Sequence, residues 1–461
     1  MTTRNHLHPL AWSTFRCLII LQLLACFSLR GGRGPAWALA DLDRIPQDPR
    51  FLVQADEAEK RLLSPEAQAE KADDYLRRHF DPWRRAEARH SAREAFWALD
   101  RYEKRPAWGE NLQLRDPSWL EDLAALCDRG NYPSRAERAV AVDNLALRGL
   151  PSDRPHFNDP ALAGEGYPFD NLQNSAVWAG TPLLVTHASS DGSWLHVEAP
   201  FAAGWVHPSQ IAYVDEAFVR TFMAGPFAVV AVDDLAVKDR EGLHRFRAQT
   251  GTLLPLVRAD AWRLTVRVPF GDGRGEAHLA EAVIGRGKAL PFPHPLTPWK
   301  VATLASRLAG QSYGWGGLYG NRDCSALTRD LFTPFGLWLP RNSGGQRQTG
   351  HVVGLEGLSP EEKAAVIVAR GRPFASLVAM AGHVMVYVGQ REGKPLVFHN
   401  LWGIRTLDRA GVAGRHVIGR AVVTTLEAGR ELPLVAPGGL LIDRVTELIL
   451  LTDDREKDRG P

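Results

Sequence analysis

"YGNRDCSALTRDLF", Tyr319 to Phe332, places a cysteine directly behind an aspartate, in what reads as the first turn of a helix. Leu327, Leu331 and Phe335 follow at i, i+4 and i+8, one apolar face of a helix beginning near Asp323. Cys324 then stands where unpaired amides and the helix dipole favour negative charge, which lowers a thiol's pKa and makes it nucleophilic. The loop ahead of it, "AGQSYGWGGLYGNR", is glycine-rich and predicts a sulfur that is not buried.

A thiol nucleophile needs a base. Downstream, "GHVMVYVGQREGKPLVFHN", Gly382 to Asn400, reads as strand–turn–strand with a histidine at each open end. If Gln390 to Lys394 form the loop, His383 faces Leu401 and His399 lies diagonal to it on the same face, about 7–8 Å away. One imidazole would take the proton of Cys324 while the other holds the first ring in its tautomer. Taken singly, each histidine is an ordinary strand residue; the three side chains together point to catalysis. A zinc site built from the same three lacks a fourth ligand at motif spacing, and no cofactor is implied.

"SYGWGG", "DCSALTRDLF", "LPRNSGGQ" and "GHVMVYVG" occur in that order within residues 295–426, and together they resemble the NlpC/P60 peptidases. The resemblance implies a papain-like α+β domain of a cell-wall cysteine enzyme, with Cys324 as nucleophile, His383 as base and His399 as the orienting third residue. With its upstream domains the chain resembles the subgroup that cuts the γ-D-glutamyl bond to a diamino acid, diaminopimelate or lysine, in peptidoglycan stem peptides. That subgroup implies Asp323, Ser325 and Tyr313 as substrate-binding residues around the free amine of an N-terminal L-alanine. Asp323 has a second reading as a plain helix cap, and both stand. Arg341, Ser343 and Gln346 match a family loop and read equally well as structural. Two departures stand out. Ala326 replaces a usual glycine, and "PFASLVAMAG" replaces the usual "PGDL" before the first histidine.

Outward from this domain, assigned to residues 290–428, the texture changes. Residues 41–150 read as a helical stabilising region, with Ser64-Pro65 and Asp81-Pro82 as helix starts and "RGLPSDRP" as a linker. "GTPLLVTHASSDGSWLHVEAPFAAGWVHPSQIAYV" alternates apolar and polar residues between turns. It resembles a bacterial SH3-like barrel, placed at 155–216, and a second barrel is placed at 217–289. The fold class expected is multidomain α+β: a helical N-terminal region, two small SH3-like β-barrels and a papain-like C-terminal domain. Residues 429–461 remain a tail without a role.

Residues 1–40 read as a secretory signal: arginines, the apolar run "CLIILQLLACF", and Ala38-Leu39-Ala40 as cleavage site. "LLAC" at Cys26 is the alternative, a lipid anchor. The apolar run is too short for the roughly 20 residues of a membrane span. Without residues 1–40 the chain has 51 basic and 53 acidic residues, a formal charge of −2. No long basic run survives, so nucleic acid is not an expected partner. Export to the periplasm or cell envelope, with peptidoglycan or muropeptide as partner, is the expectation. Of the four cysteines only Cys127 and Cys324 then remain, and Cys127 falls on the apolar stripe of "DPSWLEDLAALCDRG". The competing function is a silent wall-binding protein acting through its SH3-like modules. The intact Cys324, His383 and His399 set argues against it.

Overall fold

The computed structural model describes residues 39–452. The stretch read as a signal sequence, the alternative lipid site at Cys26 and the charged chain end lie outside them, apart from Leu39 and Ala40. Leu39 is buried against Ile404, Ala428 and Leu432. No helix among the described residues is long and apolar enough to cross a membrane.

Helix α1, Pro65–His79, starts as Ser64 accepts the Ala67 amide at 3.1 Å with Pro65 in the first turn. It buries Ala72 and Tyr75 in an aromatic cluster with Phe80, Trp83, Phe218, Phe222, Phe227 and Phe292. The N-terminal region is thus a brace whose aromatic face is completed by the second barrel. Helix α2, Ser118–Leu126, packs with Cys127 against Trp194 and Trp205 of the first barrel. Cys127 is fully buried, and burial pushes its thiol up to about 12.

The helical reading of residues up to 150 is corrected by two strands, β1, Glu137–Ala141, and β2, Leu145–Arg148. Ala139, Ala141, Leu145 and Leu147 point inward around the Asp143-Asn144 turn, a period of two that the neighbouring helical residues mask. Both strands belong to the first barrel. It continues with β3, Gln173–Val177, β4, Pro182–Ala188, β5, Leu195–Glu198, β6, Ala203–Val206, and β7, Ile211–Tyr213, in the order β3-β2-β6-β5-β4-β1-β7. "RGLPSDRP" is therefore no linker. Arg148 is buried and binds Asp170, Gln173 and the Ser152 carbonyl, each at 2.8 Å, pinning the loop to the barrel.

Helix α3, Glu216–Met223, leads into the second barrel. Its strands are β8, Phe227–Val230, β9, Leu235–Lys238, β10, His244–Ala248, β11, Leu253–Ala259, β12, Arg263–Gly271, β13, Ala277–Gly285, and β14, Ala289–Phe292. The main sheet runs β13-β12-β11-β8-β14, with β9 and β10 as a separate hairpin.

The C-terminal domain sets helices α4, Pro298–Leu308, and α5, Cys324–Phe332, on one side of its sheet and α6, Pro360–Arg370, on the other. Leu327, Leu331 and Phe335 are fully buried, as their spacing requires. The sheet holds β15, His351–Gly354, β16, Ser376–Met380, β17, His383–Arg391, β18, Lys394–Leu407, and β19, Ala413–Thr425. After the short helix α7, Leu441–Arg444, comes β20, Glu447–Leu450, and the order is β15-β20-β16-β17-β18-β19. This corrects the tail reading of residues 429–461. "ELIL" is an interior strand, hydrogen-bonded on both edges to partners remote in sequence.

Candidate active site

The tip of α5 is built by Asp323. Its Oδ1 accepts the Ala326 amide at 2.8 Å, capping the helix, and its Oδ2 accepts the Gly316 amide at 3.1 Å. Arg341 then grips both oxygens, Nη1 on Oδ1 at 3.1 Å and Nη2 on Oδ2 at 2.8 Å, while its Nε donates to Ser175 Oγ on β3 at 2.8 Å. Ser325 Oγ bridges Asp323 and Arg341 at 3.1 Å to each. Of the readings for Asp323, the cap is what the geometry shows directly. Its charge is matched by Arg341 and is not free for a ligand. Burial works to raise this carboxyl, but Arg341 and the other donors outweigh it and hold it below the usual range.

Cys324 departs from expectation. The residue is 7% exposed and belongs to the core cluster of α4, α5 and the sheet. Burial, then the Asp323 carboxylate, push its thiol up to about 12, although Arg341 and the amides of Val384 and Ser325 pull the other way. The helix-tip amides are thus present, and desolvation outweighs them. The glycine-rich loop is pressed against the first barrel rather than standing open. Gly316 and Gly317 adopt φ of +60° and +87°, and a Cβ on them would meet the Gln173 carbonyl oxygen at 2.1 Å and the Ala176 amide at 2.6 Å. These glycines let the loop press onto β3, where Gln173 Nε2 donates to the Gly316 carbonyl at 3.0 Å. The first barrel thereby walls the site.

The sulfur lies against the backbone on either side of His383, 4.0 Å from the Gly382 carbonyl and near the Val384 amide. His383 Nε2 and His399 Nδ1 are 2.8 Å apart, and His399 Nε2 lies 3.0 Å from Thr424 Oγ1. Two proton assignments satisfy this chain, and the one that leaves His383 Nδ1 without a proton has His399 donating from Nε2 to Thr424 and accepting at Nδ1 from the Nε2–H of His383. The open base is then His383 Nδ1. Burial, then the charge of Arg444, push His383 down to about 4, and burial with His383 beside it holds His399 well below its ordinary value. Burial thus favours the neutral thiol of Cys324 and the neutral imidazole of His383 in the substrate-free protein.

The expected register holds for a reason the sequence hides. Glu392 and Gly393 form a two-residue turn with φ of +54° and +77°, so Arg391 pairs with Lys394. A bulge between Tyr387 and Gly389 then shifts the ladder by one, and Val386 faces Phe398. Continued along β17, this pairing sets His383 across from Leu401.

Tyr313 is half-buried in the loop before α5, packed in an aromatic group with Phe169 of the first barrel and Trp402 at 6.2 and 5.7 Å between ring centroids. Burial, then the proximity of Cys324 and Asp323, raise its hydroxyl pKa, and that hydroxyl has no hydrogen-bond partner among the described residues. Gln346 closes the back of the site, donating to the carbonyls of Ser325 and Pro340 at 2.9 Å and accepting from Thr328 at 2.7 Å. Arg341 and Gln346 are thus structural, while Ser343 begins a short helix, Ser343–Gln346. The substituted segment "PFASLVAMAG" forms β16 and the Gly382 turn against the sulfur, leaving the three candidate catalytic side chains in place. Sequence reasoning missed Thr424, Ser175 and Gln173, none of which carries a motif. It also missed Arg322, buried between Asp330 at 2.7 Å and Asp233 of the second barrel at 2.6 Å. The described acidic and histidine groups close enough to share a metal are Asp272, Glu276 and His278, exposed on the second barrel and apart from Cys324.

Residues 310–406 match the NlpC/P60 family, and residues 15–132 match the N-terminal NLPC_P60 stabilising domain. Residues 155–207 match an SH3 domain of SH3b1 type and residues 215–261 one of SH3b2 type. Among solved structures, an NlpC/P60 endopeptidase from Photobacterium damselae subsp. piscicida aligns over 89% of this chain and 98% of its own, with 22% identity and TM-score 0.79. At that identity the likeness is one of fold, and it extends through all the domains. An NlpC/P60 family protein from Bacillus cereus ATCC 10987 aligns over 68% of this chain and 99% of its own, with 17% identity and TM-score 0.45. No curated protein matches the chain.

Proposed function

This chain belongs to the NlpC/P60 family by its C-terminal domain, and from that premise we propose that it hydrolyses the γ-D-glutamyl–diamino acid bond of peptidoglycan stem peptides as an exported cysteine peptidase. The observation that carries the reading is the chain His383–His399–Thr424, set where the backbone around His383 flanks the Cys324 sulfur. In the proposed reaction Cys324 passes its proton to His383 Nδ1 as Sγ attacks the γ-carbonyl of D-glutamate. Backbone amides at the tip of α5 receive the oxyanion. His383 then protonates the leaving amine, and water, activated by the same imidazole, frees the acyl group.

A free N-terminal L-alanine is favoured by the first barrel, whose β3 and Phe169 lie against the loop that carries Tyr313 and close that end of the cleft to a longer chain. Because Arg341 occupies Asp323, the ammonium is assigned to the unpartnered Tyr313 hydroxyl, with Ser325 and Asp323 shaping the pocket from behind. Incubation of L-Ala-γ-D-Glu-meso-diaminopimelate with the protein should release diaminopimelate, and Cys324→Ala should abolish it. Undiminished release by that variant would refute the assignment. Intact sacculi assayed beside the free tripeptide should be the poorer substrate.

A further inference from the structure

Arg405 on β18 lies four residues past Leu401, the position across from His383, and Arg405, Arg415 and Arg444 have no ion pair to any described carboxylate. Arg405 on β18 and Arg415 on β19 are direct cross-strand partners. Residues so placed share a face with Cβ atoms roughly 4.5–5.5 Å apart, and like charges there repel. The chain from β19 to α7 runs along the same strand, with the Leu407 amide on the Leu434 carbonyl at 2.8 Å and the Ala436 amide on the Arg405 carbonyl at 3.1 Å. It delivers Arg444 to the pair. Arg444 feels the charges of both other arginines, and His383 feels that of Arg444.

None of the nearby acids pairs with these arginines. Glu447 pairs with Arg347 at 2.6 Å, and Asp408 accepts the amides of its own turn at 2.8 Å. Glu165 acts on Arg415 only through space, its carboxylate accepting from Asn158 at 2.7 Å. Asp443 is exposed. The one polar contact of the Arg415 guanidinium is with the adjacent Gly414 carbonyl at 2.8 Å. Holding three cations together without a counterion costs free energy that a bound anion returns.

In the proposed reaction His383 protonates the leaving amine, so the amino acid released lies on its side of the cleft. Resting on that reading, we infer that Arg405, Arg415 and Arg444 form the leaving-group subsite and bind the side-chain carboxylate of diaminopimelate, selecting it over lysine. Arg444 comes from the segment whose role the sequence leaves blank.

The test compares three tripeptides, L-Ala-γ-D-Glu-X, with X as meso-diaminopimelate, diaminopimelate amidated on its side-chain carboxyl, or L-lysine. The wild-type protein should prefer the first in kcat/KM by about tenfold or more, the usual worth of a charge-assisted hydrogen bond. Arg444→Gln and Arg405→Gln should bring the diaminopimelate-to-lysine ratio toward one. Equal wild-type rates on all three peptides overturn the inference and leave the proposed function standing, as do variants that slow all three alike. Turnover of none of them overturns both.

Discussion

Arg341 holds Asp323 through both carboxylate oxygens, at 2.8 and 3.1 Å, directly behind the thiol of Cys324. The pair serves two ends. It caps the helix that carries Cys324, and through the third bond of Arg341, to Ser175, it ties that helix to the first barrel.

Both partners are buried, so removing one strands the other's charge. Arg341→Met should destabilise the protein by about 3–5 kcal/mol in urea unfolding, and the double variant Arg341→Met/Asp323→Asn should recover part of that loss. Simple additivity of the two single effects would show that they do not act as a pair. Because the Asp323 carboxyl lies below its unfolded value, its contribution is present at neutral pH and is lost as pH falls below the ordinary carboxylate range through the folded value.

What the sequence reveals about this site follows the range of the interactions. Cys324 at a helix start, and His383 and His399 on neighbouring strands, are legible because local periodicity sets them. The register of the histidines is right through cancellation: a tighter turn than expected and a bulge at Val388 displace the ladder in opposite senses. Burial of Cys324 is not legible, because its core neighbours come from α4 and from strands remote in sequence, while the loop ahead of it is pressed against Gln173 to Ala176 far upstream. The strand Glu447–Leu450 escapes for the same reason, since its pairing partners are remote.

The buried thiol reverses the expected alkylation behaviour. A helix tip alone predicts faster reaction with iodoacetamide than a free thiol at pH 7, whereas desolvation here holds Cys324 protonated, near 12, with His383 near 4. Alkylation of the substrate-free protein should therefore be slower than that of a free thiol at pH 7 and should climb steeply at alkaline pH. Fast, pH-independent labelling between pH 5 and 8 would instead indicate a preformed thiolate–imidazolium pair.

His399 is held from behind by Thr424 Oγ1 at 3.0 Å. Thr424→Val keeps the shape, removes that hydroxyl and leaves the tautomer of the ring unfixed. Turnover should fall about tenfold in kcat with little change in KM, the worth of one buried hydrogen bond. Thr424→Ser should restore most of it. An effect confined to KM would place Thr424 in binding rather than in orienting the base.

Buried histidines set the acid limit of the fold. Burial pushes His79 and His196 down to about 3 and His383 down to about 4. Near pH 6.5 the unfolded chain begins to take protons that the folded rings refuse, so stability is full above that value and declines as pH falls toward 4. At pH 5 each fully buried ring costs up to roughly 2 kcal/mol. Urea midpoints should drop clearly between pH 7.5 and 5, and His79→Gln, whose ring stacks on Tyr75 of α1, should flatten part of that slope. A flat profile would mean that these rings are solvated in solution.

The chain end offers the last test. Leu448, Ile449 and Leu450 are buried, the first and third in the core under α6 and the second in the core that holds Cys324. Their strand separates β15 from β16, and Arg347 is anchored to Glu447 at 2.6 and 2.7 Å. Ending the chain after Pro437 removes Arg444 and leaves the edges of β15 and β16 without partners, exposing apolar faces on both sides of the sheet. The truncated protein should be recovered insoluble or with its C-terminal domain degraded, while the two barrels persist as a protease-resistant core. A soluble truncation with full turnover would show that the interior strand is dispensable. One that is soluble but has lost only its preference for diaminopimelate would separate the part played by Arg444 from that of the strand.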